Sequence, residues 1–111
     1  MLENRFKTKL IGEIKDIFPG AIVIHPDPNE IQGIPDLLIL YEDRWAALEG
    51  KKERSASVRP NQRYYVDLMN DMSYAAFICP ENKEEILNEL QQTFRPRRAA
   101  RISRSKQIPL D

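Results

Sequence analysis

Two acidic residues and one lysine in the middle of the chain have the types and spacing for chemistry on a phosphate. Asp36 follows a proline, and Glu49-Gly50-Lys51 begins 13 residues after it. Two carboxylates that share a site supply the hard oxygen ligands that Mg²⁺ accepts. A bound ion would polarise a phosphodiester and lower the pKa of a coordinated water, and Lys51 could hold that water or stabilise charge on the phosphate. The set therefore predicts metal-dependent phosphodiester hydrolysis.

These side chains meet only if the segments that carry them form a hairpin. Residues 34–41 are a continuous apolar run, and residues 44–48 are a second run after the turn formed by Glu42-Asp43. Antiparallel pairing would place Asp36 beside Glu49, and strand alternation would point the lysine two residues further on to the same face. A structural salt bridge at the rim of the hairpin is the alternative interpretation, and a bare Glu-x-Lys alone favours it.

The remaining pattern predicts helices around these strands. Apolar residues at three- and four-residue spacing predict helices over residues 3–18, 60–72 and 82–94. Strands are predicted over residues 21–24, 34–41, 44–48 and 74–79. Asn82 and Glu85 match a capping box at the start of the last helix. The order α-β-β-β-α-β-α indicates an α/β fold with a small mixed sheet flanked by helices, in which the last strand is parallel to its neighbour.

Length and composition restrict the class of protein. The chain has 111 residues, enough for one hydrophobic core, and its 41% hydrophobic and 31% charged residues are typical of a globular domain. No apolar run is long enough to span a bilayer, and the first residues lack a signal-peptide pattern. Cys79 is the single cysteine, which excludes an internal disulfide and a cysteine-rich zinc site. A reducing, cytoplasmic setting is therefore expected, without a membrane partner.

The formal net charge of zero conceals an uneven distribution. Residues 1–94 contain 11 Lys and Arg against 16 Asp and Glu, whereas residues 95–111 contain six basic residues against one acid. We therefore expect a folded domain over residues 1–94 and a flexible basic tail over residues 95–111. Such a tail is typical of a polyanionic partner such as nucleic acid, and equally of a solvated terminus without a partner.

The motif residues resemble those of a known group of nucleases. Pro35-Asp36 followed by Glu49-Gly50-Lys51 resembles the motif of the PD-(D/E)xK nuclease superfamily. Gly33 before it and Pro60-Asn61-Gln62 after it are similar to VRR-NUC and phage-type junction-resolving endonucleases. Leu2-Glu3-Asn4-Arg5 resembles the start of the first helix in phage endonuclease I. The resemblance covers nearly the whole predicted domain and implies a restriction-endonuclease-like core.

The resemblance implies a role for each matching residue of the central motif. Asp36 and Glu49 would be ligands of Mg²⁺, for which Mn²⁺ could substitute. The Gly50 carbonyl would be a possible third ligand. Lys51 would be the catalytic lysine.

Two further acids and one amide are candidates around this motif. By the same resemblance, Glu3 would be the carboxylate of the first helix that assists a second ion or orients water. Glu13 lies on the same predicted helix and is the alternative. An acid in the first turn also complements the helix dipole, so Glu3 has an equally good structural explanation. Gln62 would point back toward the site from the following helix.

Basic residues just beyond the motif are candidates for DNA binding. They are Lys52, Arg54, Arg59 and Arg63. Their positions suit contacts to phosphates that flank the cleaved one, and such contacts position a duplex without reading its sequence. A solvated loop is the alternative interpretation.

These observations together predict a Mg²⁺-dependent DNA endonuclease, most similar to phage-type resolvases that act on branched DNA such as the Holliday junction, in a phage-infected or bacterial cytoplasm. Cutting two strands requires two sites, so a symmetric homodimer is expected, with the first helix or a strand exchanged between copies as one form of it. One alternative is a nicking or repair-type nuclease of the same fold. The other is a catalytically silent nucleic-acid-binding module that uses the basic loop and tail.

Overall fold

The computed structural model describes residues 2–95, with side chains from Asn4 onward, so the predicted tail from residue 96 lies outside the described residues. The elements are α1 (Leu2–Ile17), β1 (Ile22–Ile24), β2 (Leu37–Tyr41), β3 (Arg44–Gly50), α2 (Pro60–Met72), β4 (Ala75–Ile78) and α3 (Lys83–Thr93). This order confirms the predicted α-β-β-β-α-β-α arrangement and the α/β class.

The four strands form one mixed sheet in the order β1-β2-β3-β4. β1 and β2 are antiparallel, as are β2 and β3, and Leu37 lies opposite Leu48 in the predicted hairpin. β4 is parallel to β3. The connection through α2 explains this direction, because a helical crossover is the usual link between parallel strands. The parallel direction predicted for the last strand is therefore confirmed.

Helices cover both faces of the sheet. The larger core lies between the sheet and helices α1 and α3, and its fully buried side chains include Leu10, Ile39 and Leu90. The smaller core lies under α2, where Val66 packs with Ala47 and Ala75. Each fully buried aliphatic side chain stabilises the fold by about 1.5–3 kcal/mol relative to exposure. The hairpin of β2 and β3 is therefore held from both sides, and its ends are fixed in space.

The boundaries of the hairpin strands differ from those predicted. β2 begins at Leu37 and not at residue 34, because Pro35 has no N–H for the ladder and Gly33 has a φ of +89°. β3 continues to Gly50 and not to residue 48, because it pairs with β4 as well, with Glu49 opposite Phe77. Glu49 is thus a strand residue in the middle of the sheet.

The capping box predicted for α3 is wrong. Asn82 precedes the helix, but its side chain makes no capping hydrogen bond. Its Oδ1 instead accepts from the Cys79 N–H at 2.8 Å, and its Nδ2 donates to the Phe77 carbonyl at 3.0 Å. The side-chain amide therefore hydrogen-bonds to backbone groups at the end of β4. These bonds occupy the amide, so that it cannot also cap α3.

Candidate functional site

The hairpin brings Asp36 to the end of β3. Asp36 lies one residue before β2, and its Oδ2 accepts a hydrogen bond of 2.9 Å from the Gly50 backbone N–H. A Cβ atom at position 50 would lie 3.3 Å from that oxygen, so the glycine leaves room for the carboxylate. Asp36 is therefore fixed beside the backbone that carries Glu49.

Glu49 is a buried acid, with only 5% of its surface exposed. Its pKa is raised from the ordinary 4.5 to about 7, mainly by burial and, to a smaller extent, by the negative charge of Asp36. The charge of Lys51, the backbone N–H of Asp36 and the charge of Lys7 act in the opposite direction on this pKa. The site thus holds a carboxylate whose ionised form is costly without an additional cation.

Gln62 in the first turn of α2 connects Glu49 to Lys51. Its Nε2 donates to Glu49 Oε2 at 3.1 Å, and its Oε1 accepts from Lys51 Nζ at 2.7 Å. The same Oε1 accepts from the Arg59 backbone N–H at 3.1 Å, so the amide also satisfies a free donor at the helix start. Lys51 Nζ makes a second hydrogen bond of 3.1 Å to the Ser57 carbonyl. The lysine is therefore held in one place.

Gly33 sets the distance between the hairpin and α2. A Cβ atom at this position would lie 2.7 Å from the backbone carbon and oxygen of Asn61. Its φ of +89° is also a conformation that side chains disfavour. Only glycine allows this close approach, which places the start of α2, and hence Gln62, against the loop that leads to Asp36.

The assembled side chains line an open cavity of about 640 Å³. Asp36, Glu49, Gly50, Lys51 and Gln62 all contribute to its wall. Among the basic residues predicted to bind DNA, Lys52 and Arg59 line this same cavity and are exposed. The structure therefore brings the central motif and two of the four basic candidates together.

The other two basic candidates lie to one side. Arg54 and Arg63 line a smaller cavity of about 160 Å³, which shares Lys51, Glu53 and Ala56 with the first. The Arg63 guanidinium lies 5.4 Å from the centre of the Phe77 ring. Both arginines are exposed, so they remain available to a phosphate that flanks the main cavity.

The first helix contributes to the site in a way the sequence did not indicate. The side chain of Glu3 lies outside the described residues. Glu13 forms an ion pair of 2.9 Å with Lys83 and does not line the cavity. Lys7 lines it instead, and its Nζ lies 3.6 Å from Asp36 Oδ1. Sequence reasoning missed Lys7, although it lies one helical turn after Glu3 and so on the same face.

The cavity contains two carboxylates, which are the donor type that a hard divalent cation accepts. Among the residues described, no group of three or more His, Cys, Asp or Glu side chains could hold a metal ion. The pair Asp36 and Glu49 stays the predicted ligand set. Mg²⁺ is commonly bound by one or two carboxylates and keeps several waters. The burial of the Glu49 carboxylate in a cavity shared with Asp36 is the observation that bears on such an ion. The Gly50 carbonyl remains a predicted third ligand.

No protein-family model, curated protein or solved structure matches this chain. The likeness of its motif to the PD-(D/E)xK nucleases therefore remains a prediction. Within residues 2–95, no helix has the length and apolar character that crossing a membrane requires.

Proposed function

We propose that this chain is a metal-dependent DNA endonuclease that hydrolyses phosphodiester bonds, with branched DNA of the Holliday-junction type as its substrate. The observation that supports this most is the buried Glu49, held next to Asp36 and linked through Gln62 to Lys51 in one open cavity. A strand in the middle of a sheet normally carries apolar residues at such positions. An acid there has a chemical use that outweighs its cost.

In the proposed mechanism Asp36 and Glu49 would hold Mg²⁺ or Mn²⁺, with the Gly50 carbonyl as a third ligand. The ion supplies Lewis acidity, which polarises the phosphate and acidifies water. Lys51 binds the attacking water or a phosphate oxygen, and its ammonium is held for this by the Gln62 and Ser57 oxygens. The oxygen of the attacking water would bond to phosphorus as one P–O ester bond breaks. One proton of that water would pass, directly or through solvent, to the leaving oxygen, so the products are a phosphate end and a hydroxyl end.

The surroundings of the cavity suit a polyanionic substrate. Lys52 and Arg59 are exposed on its wall, and Arg54 and Arg63 are exposed beside it. Each can neutralise a backbone phosphate without reading the bases. The basic residues of the tail carry the largest local excess of positive charge in the sequence, and the proposal includes them as further phosphate contacts.

A homodimer is part of the proposal, because two opposed cuts in a branch need two sites. β1 is an edge strand of the sheet, and its Ile22 and Ile24 are 58% and 40% exposed. An antiparallel edge can pair with its own copy about a two-fold axis, which is the commonest symmetry of soluble oligomers. A second copy of this chain is therefore the occupant we propose for the β1 edge.

The proposal is tested by cleavage of a four-way DNA junction and of a linear duplex of the same sequence in Mg²⁺. Asp36→Asn and Lys51→Ala are each expected to lower the cleavage rate about 100-fold or more while DNA binding persists. Lys15→Ala, an exposed lysine on α1, is the matched control and should cut normally.

The outcomes separate the candidate functions. Cleavage of the junction alone supports a resolvase. Equal cleavage of linear or nicked duplex supports a nuclease but contradicts branched DNA as its specific substrate. DNA binding without cleavage in Mg²⁺ or Mn²⁺ would contradict the enzyme and favour a silent binding module.

A further inference from the structure

Lys7 reaches the acidic pair from α1 along a path that a glycine leaves open. A Cβ atom at position 50 would lie 3.7 Å from Lys7 Cγ and 3.8 Å from Cδ, so the aliphatic stem of the lysine runs over Gly50. Its Nζ ends 3.6 Å from Asp36 Oδ1. The other oxygen, Oδ2, is bound to the Gly50 N–H. Lys7 therefore faces the oxygen of Asp36 that the backbone leaves available.

Two of the lysines that line the cavity, Lys7 and Lys51, are held very differently. Lys51 Nζ makes hydrogen bonds of 2.7 and 3.1 Å to Gln62 and Ser57. The Lys7 contact is longer than a hydrogen bond, and about a third of each side chain in the pair is exposed, 31% for Lys7 and 30% for Asp36. A loose, partly exposed ion pair opens easily, because water replaces most of what it loses. Lys7 can thus leave Asp36 while Lys51 stays in place.

The formal charges of the two acids and of Lys7 and Lys51 are consistent with two roles for Lys7. Without an ion, the ionised Asp36 and Glu49 are balanced by Lys7 and Lys51. A divalent ion on the carboxylates creates a surplus of two positive charges. One phosphodiester group and the hydroxide that attacks it carry two negative charges. With Glu49 ionised, this group of four side chains is therefore formally neutral both without ion and substrate and with both bound, provided that Lys7 stays in the cavity. The other charged residues of the wall, Lys52, Glu53 and Arg59, add one positive charge in either state.

We propose that Lys7 is a phosphate-binding residue that exchanges partners: it neutralises Asp36 in the ion-free protein and contacts a DNA phosphate once a divalent ion occupies the carboxylates. This inference rests on the proposed function, since it requires Asp36 to bind the ion. It adds a DNA contact from α1, which carries no other basic residue of the cavity wall. It also makes ion binding and DNA binding cooperative, because the ion releases the Lys7 ammonium from Asp36 and a DNA phosphate then binds that ammonium.

The first test measures Mn²⁺ binding to the full chain without DNA by titration calorimetry. Lys7→Met keeps the apolar stem and removes the competing charge, so Mn²⁺ should bind about two- to fivefold more tightly than to wild type. Lys9→Met is the matched control, because Lys9 is exposed on the same helix and does not line the cavity. Lys7→Arg keeps the charge and should resemble wild type.

The second test measures the affinity for a four-way junction against salt concentration, once in EDTA and once in Ca²⁺, with uncut DNA verified on a gel. One lost phosphate contact lowers the slope of log K against log salt by about 0.9. The Lys7→Met variant should show this decrease in Ca²⁺ and no decrease in EDTA, where Lys7 is occupied by Asp36. Lys9→Met should change neither slope.

The outcomes distinguish this inference from the proposed function. A wild-type chain that binds Mn²⁺ and cuts DNA, with a Lys7→Met variant whose Mn²⁺ affinity is unchanged or weaker, would overturn the Lys7 inference alone. The same loss of slope with and without Ca²⁺ would also overturn it, because Lys7 would then be an ordinary surface contact. A wild-type chain that binds no Mn²⁺ would overturn both.

Discussion

Replacing Glu49 by glutamine should stabilise the ion-free protein at neutral and alkaline pH. The pKa of Glu49 is raised from 4.5 to about 7, so its protonated form favours the folded state. That stabilisation is complete below pH 4.5 and is lost as the pH rises through 7. The loss corresponds to about 3 kcal/mol, since one pKa unit is about 1.4 kcal/mol. Glutamine is never charged, so the Glu49→Gln variant should avoid this loss.

The assay is urea unfolding in EDTA at a series of pH values from 4 to 8. The variant should exceed wild type by about 3 kcal/mol at pH 8, and the difference should approach zero near pH 4. Glu30→Gln, an exposed glutamate in the loop before β2, is the matched control and should follow wild type at every pH. A Glu49→Gln variant equally or less stable than wild type at pH 8 would refute the reasoning that burial and Asp36 destabilise the ionised acid.

Three further predictions concern the ion, the loop and the sheet edge. Saturating Mg²⁺ at pH 8 should raise the unfolding free energy of wild type, by about 2.7 kcal/mol at 100 times Kd, and that of Glu49→Gln much less. Gly33→Ala should cost about 2–4 kcal/mol in urea unfolding, because its Cβ meets the Asn61 backbone, whereas Gly12→Ala in open space on α1 should stabilise slightly. Ile22→Lys should leave folding intact but convert a dimer to monomers in sedimentation equilibrium, and an unchanged mass would contradict the β1 interface.

Most of the fold was predictable from the sequence because local signals and burial agree. The apolar periodicity of α1, the proline at the start of α2 and the apolar runs of the hairpin each specify one element. The predicted helix cap and strand end were wrong where a residue contacts an element that is distant from it in the sequence. Asn82 is of a residue type that often caps helices, but its side chain hydrogen-bonds to the end of β4. The local sequence places Glu49 beyond β3, whereas pairing with β4 extends β3 to include it. A short stretch of sequence around either residue does not reveal its contact with β4.

The site was predictable to the extent that strand pairing fixes it. Asp36, Glu49 and Lys51 could be placed together because one turn determines the register of the hairpin. Lys7 could not, because its approach depends on how α1 lies across the sheet and on the missing side chain at Gly50. The sequence shows both residues, but the packing angle between helix and sheet is a property of the whole core.

The structural salt bridge, which was the simpler interpretation of Glu49 and Lys51, makes a prediction that the geometry does not meet. A rim ion pair should join the two charges directly, since direct contact is its source of stability. Among the described residues these two form no such pair, and the Gln62 amide lies between them with one hydrogen bond to each. A neutral amide between two opposite charges holds them at a fixed distance and orientation. The attraction between the charges is weaker than in direct contact, but their spacing is defined. Such spacing suits two side chains that must each contact a third group, an ion or a phosphate, in the open cavity that both of them line.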